Sequence, residues 1–196
     1  MKKASLLVAA ILLITACKKN NDGVDPVQLE HYPQTWILTI DEAPDNYIFL
    51  KANVPVMYRD HIPRSYSLIQ LAEDDDCEWE VEQSRTEDNS KACYNIRLKK
   101  NKKIWMGATP SSDGNEIHLV SISSSSTADL DDDSYKFFIH KMPDVNGVKT
   151  VALENVFYAG YYVSSASPGW QFAQNLATLQ QASSPDKATK WQCRHN

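Results

Sequence analysis

The side chains that most often carry out chemistry are scattered along this sequence. The five histidines stand far apart, and none lies four residues from another or beside a pair of cysteines: His31, His61, His118, His140 and His195. A zinc site needs such ligands in close groups, so the sequence predicts no metal site of this kind and no cofactor. A Gly-x-Ser-x-Gly motif and a glycine-rich phosphate loop are also absent from the sequence. We therefore expect a protein that is not an enzyme.

Two acidic runs offer oxygen ligands. They are Asp74–Asp76 and Asp129 with Asp131–Asp133, and each precedes a strand-like segment. Calcium takes ligands of this type, but the runs lack the alternating carboxylates and the glycine of a recognised calcium loop. We favour solvated turns and keep calcium binding as the alternative.

Five aromatic residues are candidates for ligand binding. Tyr158 and Tyr162 lie off the alternation that buries Tyr161, and Trp170 follows the pair Pro168-Gly169. The other two candidates, Tyr58 and Tyr66, belong to a proline-bearing segment. Exposed aromatic rings can stack on sugars or anchor a protein partner. The alternative is that these rings pack within the domain.

The elements that must position these residues are short strands. Apolar residues alternate in many short runs separated by Pro, Asp, Ser and Gly, and the chain after the N-terminal segment has no good helical stripe. This pattern predicts an all-β domain over residues 35–196, built as a closed barrel with a capped end. Three stretches share the pattern with a period of about 55 residues, which predicts three pseudo-repeats. Corresponding positions are Leu38, Ile96 and Val151 in the first strand and Trp79, Phe137 and Trp191 in the last.

The stretch Leu153–Ser165, LENVFYAGYYVSS, resembles the signature segment of β-trefoil proteins. The interleukin-1 family and the arabinose-binding domains of bacterial arabinofuranosidases share its strand, turn and aromatic–aliphatic pair. This resemblance implies a β-trefoil fold and is not specific for function. The arabinose site is not carried over, because Ser164, Ser165 and Lys187 stand where that family has its binding residues. The Gln-x-Trp signature of ricin-type lectins is also missing from the ends of the three units.

The N-terminal segment has the pattern of an export signal. Two lysines precede an apolar run, and Ile14-Thr15-Ala16-Cys17 resembles a bacterial lipobox. This resemblance implies a signal peptide over residues 1–16, a lipid such as palmitate on Cys17, and attachment to the outer membrane at its periplasmic or cell-surface face. An ordinary signal peptide is the alternative. Residues 17–34 are polar and predict a flexible tether.

Charge and cysteines limit the remaining choices. The formal net charge is −5, and it becomes −7 without Lys2 and Lys3, which disfavours nucleic acid and anionic lipid as partners. In an oxidising compartment Cys77 and Cys93 can form a disulfide, and the alternative is that the cysteines are buried thiols. Cys193 alternates with Trp191 and is expected in the core.

Together these observations predict a lipid-anchored binding protein that recognises a glycan or glycoconjugate without catalysis. The alternative is a protein-interaction or inhibitory module that presents the 52–67 loop to a partner, because this loop looks like an insertion relative to the other two units.

Overall fold

The computed structural model describes residues 26, 29, 34–43, 46–54, 66–72, 78–86, 91–111, 114–123, 131–164 and 177–194. Within these ranges the chain forms strands and two short 3₁₀ turns, Asp133–Tyr135 and Pro185–Lys187. The prediction of an all-β fold is therefore confirmed. The strands are β1 Gln34–Ala43, β2 Asn46–Val54, β3 Tyr66–Ala72, β4 Trp79–Arg85, β5 Ala92–Leu98, β6 Ile104–Pro110, β7 Ile117–Ser123, β8 Phe137–Val145, β9 Val148–Asn155, β10 Tyr161–Ser164, β11 Thr178–Gln181 and β12 Trp191–Arg194.

Six strands close into a barrel through antiparallel pairs. The ring runs from β1 to β4, β5, β8, β9 and β12, and then back to β1. The other six strands form the hairpins β2–β3, β6–β7 and β10–β11. The hairpins are joined to one another by the pairs β3–β7 and β7–β11. Closure pairs both edges of each barrel strand, which removes the unpaired edges that promote aggregation.

Alternate side chains of the six barrel strands fill the barrel interior. Each of these side chains is at most 2% exposed, as period-two patterning requires when one face of a sheet is buried. Trp191 keeps its indole N–H satisfied by donating it to the carbonyl of Val163 at 3.0 Å. The interior set is Trp36, Leu38, Trp79, Val81, Tyr94, Ile96, Phe137, Ile139, Val151, Leu153, Trp191 and Cys193.

The strand register corrects one part of the predicted repeat. Leu38 pairs with Cys193, and Ile96 pairs with Val81 in the same manner. The matching pair at β8 and β9 is Ile139 with Leu153, so Val151 was assigned two residues too early. An apolar pattern of period two repeats every second residue, so it cannot distinguish registers that differ by two.

The chain is attached to the barrel before the predicted domain start. Leu29 is 5% exposed and belongs to the main core cluster. Its backbone N–H donates to the Tyr94 hydroxyl at 3.0 Å. Leu29, which the prediction places within the tether 17–34, thus contacts the barrel. The signal peptide and Cys17 lie outside the described residues and stay predictions, and no helix in the described part is long and apolar enough to cross a membrane.

Of the two cysteines in the predicted disulfide, only Cys93 is described. Cys93 of β5 is a buried free thiol opposite Ser84 of β4, which agrees with the alternative of buried thiols. Cys77 lies outside the described residues, so its pairing with Cys93 stays a prediction.

The two described thiols are poorly suited to act as nucleophiles. Burial raises the pKa of Cys93 to about 11, and it raises the pKa of Cys193 to about 12. Both thiols are therefore protonated at neutral pH. The prediction that Cys193 lies in the core is confirmed, since it is 2% exposed.

A close contact fixes the Asp133–Tyr135 turn against the barrel. The ring of Tyr135 packs on the backbone of β6 at Gly107, where a Cβ atom would overlap Tyr135 Cδ1. Only glycine allows this approach. Directly after the turn, the carbonyl of Lys136 accepts the N–H of Val156 in the loop that follows β9 at 3.0 Å.

Candidate functional site

The loop between β9 and β10 presents an exposed aromatic residue. We call Val156–Gly160 the aromatic turn. Phe157 is 62% exposed, more than any other large hydrophobic residue in the described part of the chain. Its ring meets Tyr158 edge-on at a centroid distance of 4.9 Å, and Tyr158 meets Tyr161 at 6.5 Å. Tyr158 and Tyr161 also pack on the core, so Phe157 rests on an aromatic base that continues into the barrel.

The buried Asn155 holds the start of the aromatic turn. Its Nδ2 donates to the carbonyl of Ser134 at 2.9 Å and to that of Lys136 at 3.3 Å. Its Oδ1 accepts the backbone N–H of Tyr158 at 3.1 Å. At the other end of the turn, Gly160 adopts a φ of 79°, which favours glycine. These contacts preorganise the turn, so a ligand would not have to order it.

Glu154 holds the end of the aromatic turn. Its Oε1 accepts the backbone N–H of Gly160 at 2.8 Å, and its Oε2 lies 2.7 Å from His140 Nε2. Burial alone would raise the pKa of Glu154, but hydrogen bonds from His140, Gly160 and Tyr162 outweigh burial and lower the pKa. The pKa of Tyr162 is raised to about 12, by burial and then by Glu154. The carboxylate is thus the shared acceptor of three donors.

Acidic residues border the aromatic turn. Asp131 and Asp132 are exposed, and Asp132 Oδ1 caps the backbone N–H of Ser134 at 2.8 Å. Burial and, to a smaller extent, the negative charge of Asp132 raise the pKa of Tyr158. Asp133 pairs with the buried Lys136 at 3.0 Å. The turn therefore lies beside carboxylates that can accept hydrogen bonds.

The calcium alternative gains no geometric support in the described part of the chain. Groups of three or more potential metal ligands are not found there. Asp132 and Asp133 already serve as a cap and as an ion-pair partner. The run Asp74–Asp76 and Asp129 lie outside the described residues.

The structure separates the predicted binding residues. Tyr158 lies in the aromatic turn, but Tyr162 is only 4% exposed, so its expected exposure is wrong. Tyr161 does face the main core, as the alternation predicts, but the opposite face of β10 is covered as well. There Tyr162 packs with Met142 and Ala152 under the segment that contains Ala182 and Ala188. Alternation in one strand cannot reveal a distant segment that covers its outer face.

The remaining candidates are not brought to this site by the described structure. Tyr58 and Trp170 lie outside the described residues, and Tyr66 begins β3, where the backbone alone is described. Sequence reasoning missed Phe157. The sequence feature that could have revealed it is an apolar residue inside a turn bounded by Asn155 and Gly160. A strand-forming residue at the tip of a turn has no sheet face through which to become buried.

The comparisons with known proteins concern shape alone. No protein-family model matches the sequence, and no curated protein is significantly similar to it. A mosquitocidal holotoxin structure matches 85% of the chain with a TM-score of 0.56 and 10% identity, although the chain spans only 18% of the toxin. A Caenorhabditis elegans protein of unknown function has a TM-score of 0.50 and 11% identity, covering 86% of this chain and 99% of that protein. A chicken interleukin-1 mutant has a TM-score of 0.47 and 16% identity, covering 83% and 96% of the two chains.

Proposed function

We propose that the chain is a β-trefoil of three units of about 55 residues. Strand pairing supports this fold, because the first and last strands of each group of four pair with each other: β1 with β4, β5 with β8, and β9 with β12. The register supports it as well, since Leu38, Ile96 and Leu153 each face a core residue of a last strand. Their spacing is 58 and then 57 residues.

We propose that this trefoil is a non-catalytic glycan-binding protein whose site is the aromatic turn. The observation that carries the proposal is Phe157, which is 62% exposed on a turn fixed at both ends by side chains of β9. An isolated exposed apolar residue needs no explanation. An exposed ring on a preorganised aromatic base, beside the exposed residues Asp131 and Asp132, is an arrangement that can bind a sugar.

The proposed mechanism divides recognition between rings and carboxylates. The face of Phe157 stacks on the apolar C–H face of a sugar ring, and Asp131 and Asp132 accept hydrogen bonds from its hydroxyls. The formal net charge of −5 and the acidic border of the site favour neutral or amino sugars over sugars that carry carboxylate or sulfate.

The proposed location is the outer membrane, at its periplasmic or cell-surface face, with attachment through a lipid on Cys17. The support is the charged start, the short apolar run and the lipobox-like residues before Cys17. Eleven residues lie between Cys17 and Leu29, which makes twelve steps along the chain. An extended chain of that length spans roughly 40 Å, so the barrel would stay near the lipid surface.

The test of glycan binding is an array screen of the whole chain with a matched pair of variants. Phe157→Ala removes the stacking ring, and Val145→Ala removes the other exposed large hydrophobic residue of the described part, which is 37% exposed at the end of β8. We expect the wild-type protein to bind neutral or amino glycans. Phe157→Ala should bind about tenfold more weakly, a loss of about 1.4 kcal/mol, and Val145→Ala should bind normally.

Two outcomes would count against the glycan proposal. If the wild-type chain binds no glycan above background, the proposed activity is contradicted. If Phe157→Ala binds as well as the wild type, the proposed site is contradicted. The alternative, capture of a protein through the 52–67 loop, stays a prediction, because residues 55–65 lie outside the described part. Its premise needs correction, since the connection between β10 and β11 has thirteen residues and that between β2 and β3 has eleven.

A further inference from the structure

The two ends of the aromatic turn are held by side chains of different chemistry. At the first end, the amide oxygen of Asn155 accepts the N–H of Tyr158 at 3.1 Å. At the other end, Oε1 of Glu154 accepts the N–H of Gly160 at 2.8 Å. A carboxylate gains a proton in acid, whereas an amide does not. The contact with Gly160 therefore depends on pH, and the contact with Tyr158 does not.

Protonation of Glu154 disturbs this contact at either of its oxygens. Oε1 accepts the N–H of Gly160, and Oε2 lies 2.7 Å from Nε2 of His140. An ionised carboxylate only accepts hydrogen bonds, so Nε2 carries a hydrogen when Glu154 is charged. A proton on Oε1 or on Oε2 therefore adds a second hydrogen to a contact that already has one. It also removes the negative charge, which makes hydrogen bonds to both oxygens roughly twice as strong.

Two titratable groups contact the Glu154 carboxylate directly, His140 of β8 and Tyr162 of β10. Further charged groups on the elements that pack against β8 and β9 have partners of their own. They are Asp133 with Lys136 at 3.0 Å, Asp186 with Lys187 at 3.7 Å, and Lys91 over the ring of Phe138 at 5.7 Å. None of these three contacts involves the backbone of the aromatic turn, so the contact with Gly160 follows the charge of Glu154.

We infer that Glu154 is an acid-sensitive latch: when ionised it holds the aromatic turn in its binding shape, and when protonated it releases the Gly160 end. This inference rests on the proposed function, because the latch regulates the proposed glycan site. A ligand of the ordered turn binds only the fraction of chains in which the turn is ordered, so its apparent affinity follows that fraction. A glycan is thus bound near neutral pH and released in acid.

The direction of the response follows from the folded state. Burial raises the pKa of Glu154, but hydrogen bonds from His140, Gly160 and Tyr162 outweigh burial and hold the pKa below 4.5. The latch is therefore closed above about pH 4.5 and opens as the pH falls through the folded value. Asp131 and Asp132, the proposed acceptors of sugar hydroxyls, also become neutral in acid. Loss of glycan binding by the wild type alone therefore does not identify the latch.

The first experiment follows the latch without a glycan. Amide hydrogen exchange of the whole chain is measured by NMR in steps from pH 6 to pH 3, and each protection factor is referred to an unstructured chain at the same pH. We expect the protection of Gly160 to fall about fivefold, while amides of the paired strands β9 and β12 keep theirs.

A matched pair of variants identifies the responsible carboxylate. Glu154→Gln should show weak protection of Gly160 at every pH. Asp186→Asn, which removes a carboxylate that is 55% exposed on the neighbouring 3₁₀ turn, should respond as the wild type does. A fall with pH in Glu154→Gln as large as in the wild type, or an equal fall in the barrel strands, would overturn the inference.

The second experiment tests the control of binding. The array of neutral and amino glycans is read at the same pH values with the wild type and with Glu154→Gln, which keeps Asp131 and Asp132 but has no latch to open. The wild type should lose about threefold more affinity in acid than Glu154→Gln. Parallel profiles would overturn the inference. If neither chain binds a glycan at any pH, the proposed function fails, and the exchange of Gly160 alone then decides whether the latch exists.

Discussion

Two regions of the barrel each place a charged side chain between residues of the two neighbouring strands, and the two charges are opposite. Before the turn Lys99–Lys103, which joins β5 to β6, Arg97 of β5 lies between Glu80 of β4 and Trp105 of β6. Before the aromatic turn, Glu154 of β9 lies between Phe138 of β8 and Tyr162 of β10 in the same pairing pattern. The outward-facing position is a cation in one region and an anion in the other.

In each region the groups that contact the central side chain complement its charge. The guanidinium of Arg97 bonds to Glu80 and Glu82 and lies 5.2 Å from the ring centre of Trp105. The carboxylate of Glu154 is shared by His140, Tyr162 and the backbone N–H of Gly160. In each region an aromatic residue on the neighbouring strand interacts with the central charge. The face of an aromatic ring attracts a cation, and a phenol donates a hydrogen bond to an anion.

This difference indicates which of the two regions tolerates substitution better. Arg97 has one partner that can turn towards water, because the Glu82 side chain is 34% exposed, while its buried partner Glu80 keeps Lys102 as a second cation at 3.6 Å. Glu154 instead serves a backbone group and side chains that are about 5% exposed or less. The region beside the aromatic turn should therefore be the more fragile of the two.

The largest expected effect comes from removing each central charge. Glu154→Ala should lower the free energy of unfolding by about 3 kcal/mol, because a buried donor left without its acceptor costs about 1–3 kcal/mol and three donors share this carboxylate. Arg97→Ala should cost about 1–2 kcal/mol, since water can replace it around Glu82. Urea unfolding of both variants measures the difference. Equal losses would contradict the contrast between the two regions.

An intermediate effect concerns pH. The pKa of Glu154 is lowered from 4.5 in the folded chain, so its contribution to stability is fully present above about pH 4.5 and is lost as the pH falls through the folded value. Glu154→Gln keeps an oxygen for Gly160 but does not titrate. We expect its stability to fall less than that of the wild type between pH 5 and pH 3, measured by urea midpoints at each pH. Parallel curves would show that the carboxylate does not supply this acid sensitivity.

The smallest expected effect tests the geometry of Arg97. Arg97→Lys keeps the charge but loses the forked contact with Glu80 and Glu82 and the stacking on Trp105. Because the site is near the surface, the loss should be about 0.5–1 kcal/mol, which lowers the melting temperature by a few degrees at most. A thermal melt beside the wild type measures it. A loss as large as that expected for Glu154→Ala would mean that the first region is as constrained as the second.

The sequence predicted the class of the fold through particular residues. Alternation at Leu38, Ile96 and Leu153 marks strands with one buried face, and the burial of all three follows from it. The same alternation could not set the register of β9 against β8, because a shift of two residues leaves the pattern unchanged. It also could not foresee the burial of Leu29, since the segment around this residue is mostly polar.

By itself the sequence determined the strands, their inward-facing residues and the central placement of large rings such as Trp79 and Trp191 in the core, because these depend on local periodicity and hydrophobicity. Only the tertiary structure decided which side chains are exposed or buried at the candidate site. The burial of Tyr162, the exposure of Phe157 and the pairing of His140 with Glu154 arise from segments distant in the chain that cover one face and leave another open. Such coverage depends on long-range packing, and nothing in a short stretch of sequence specifies it.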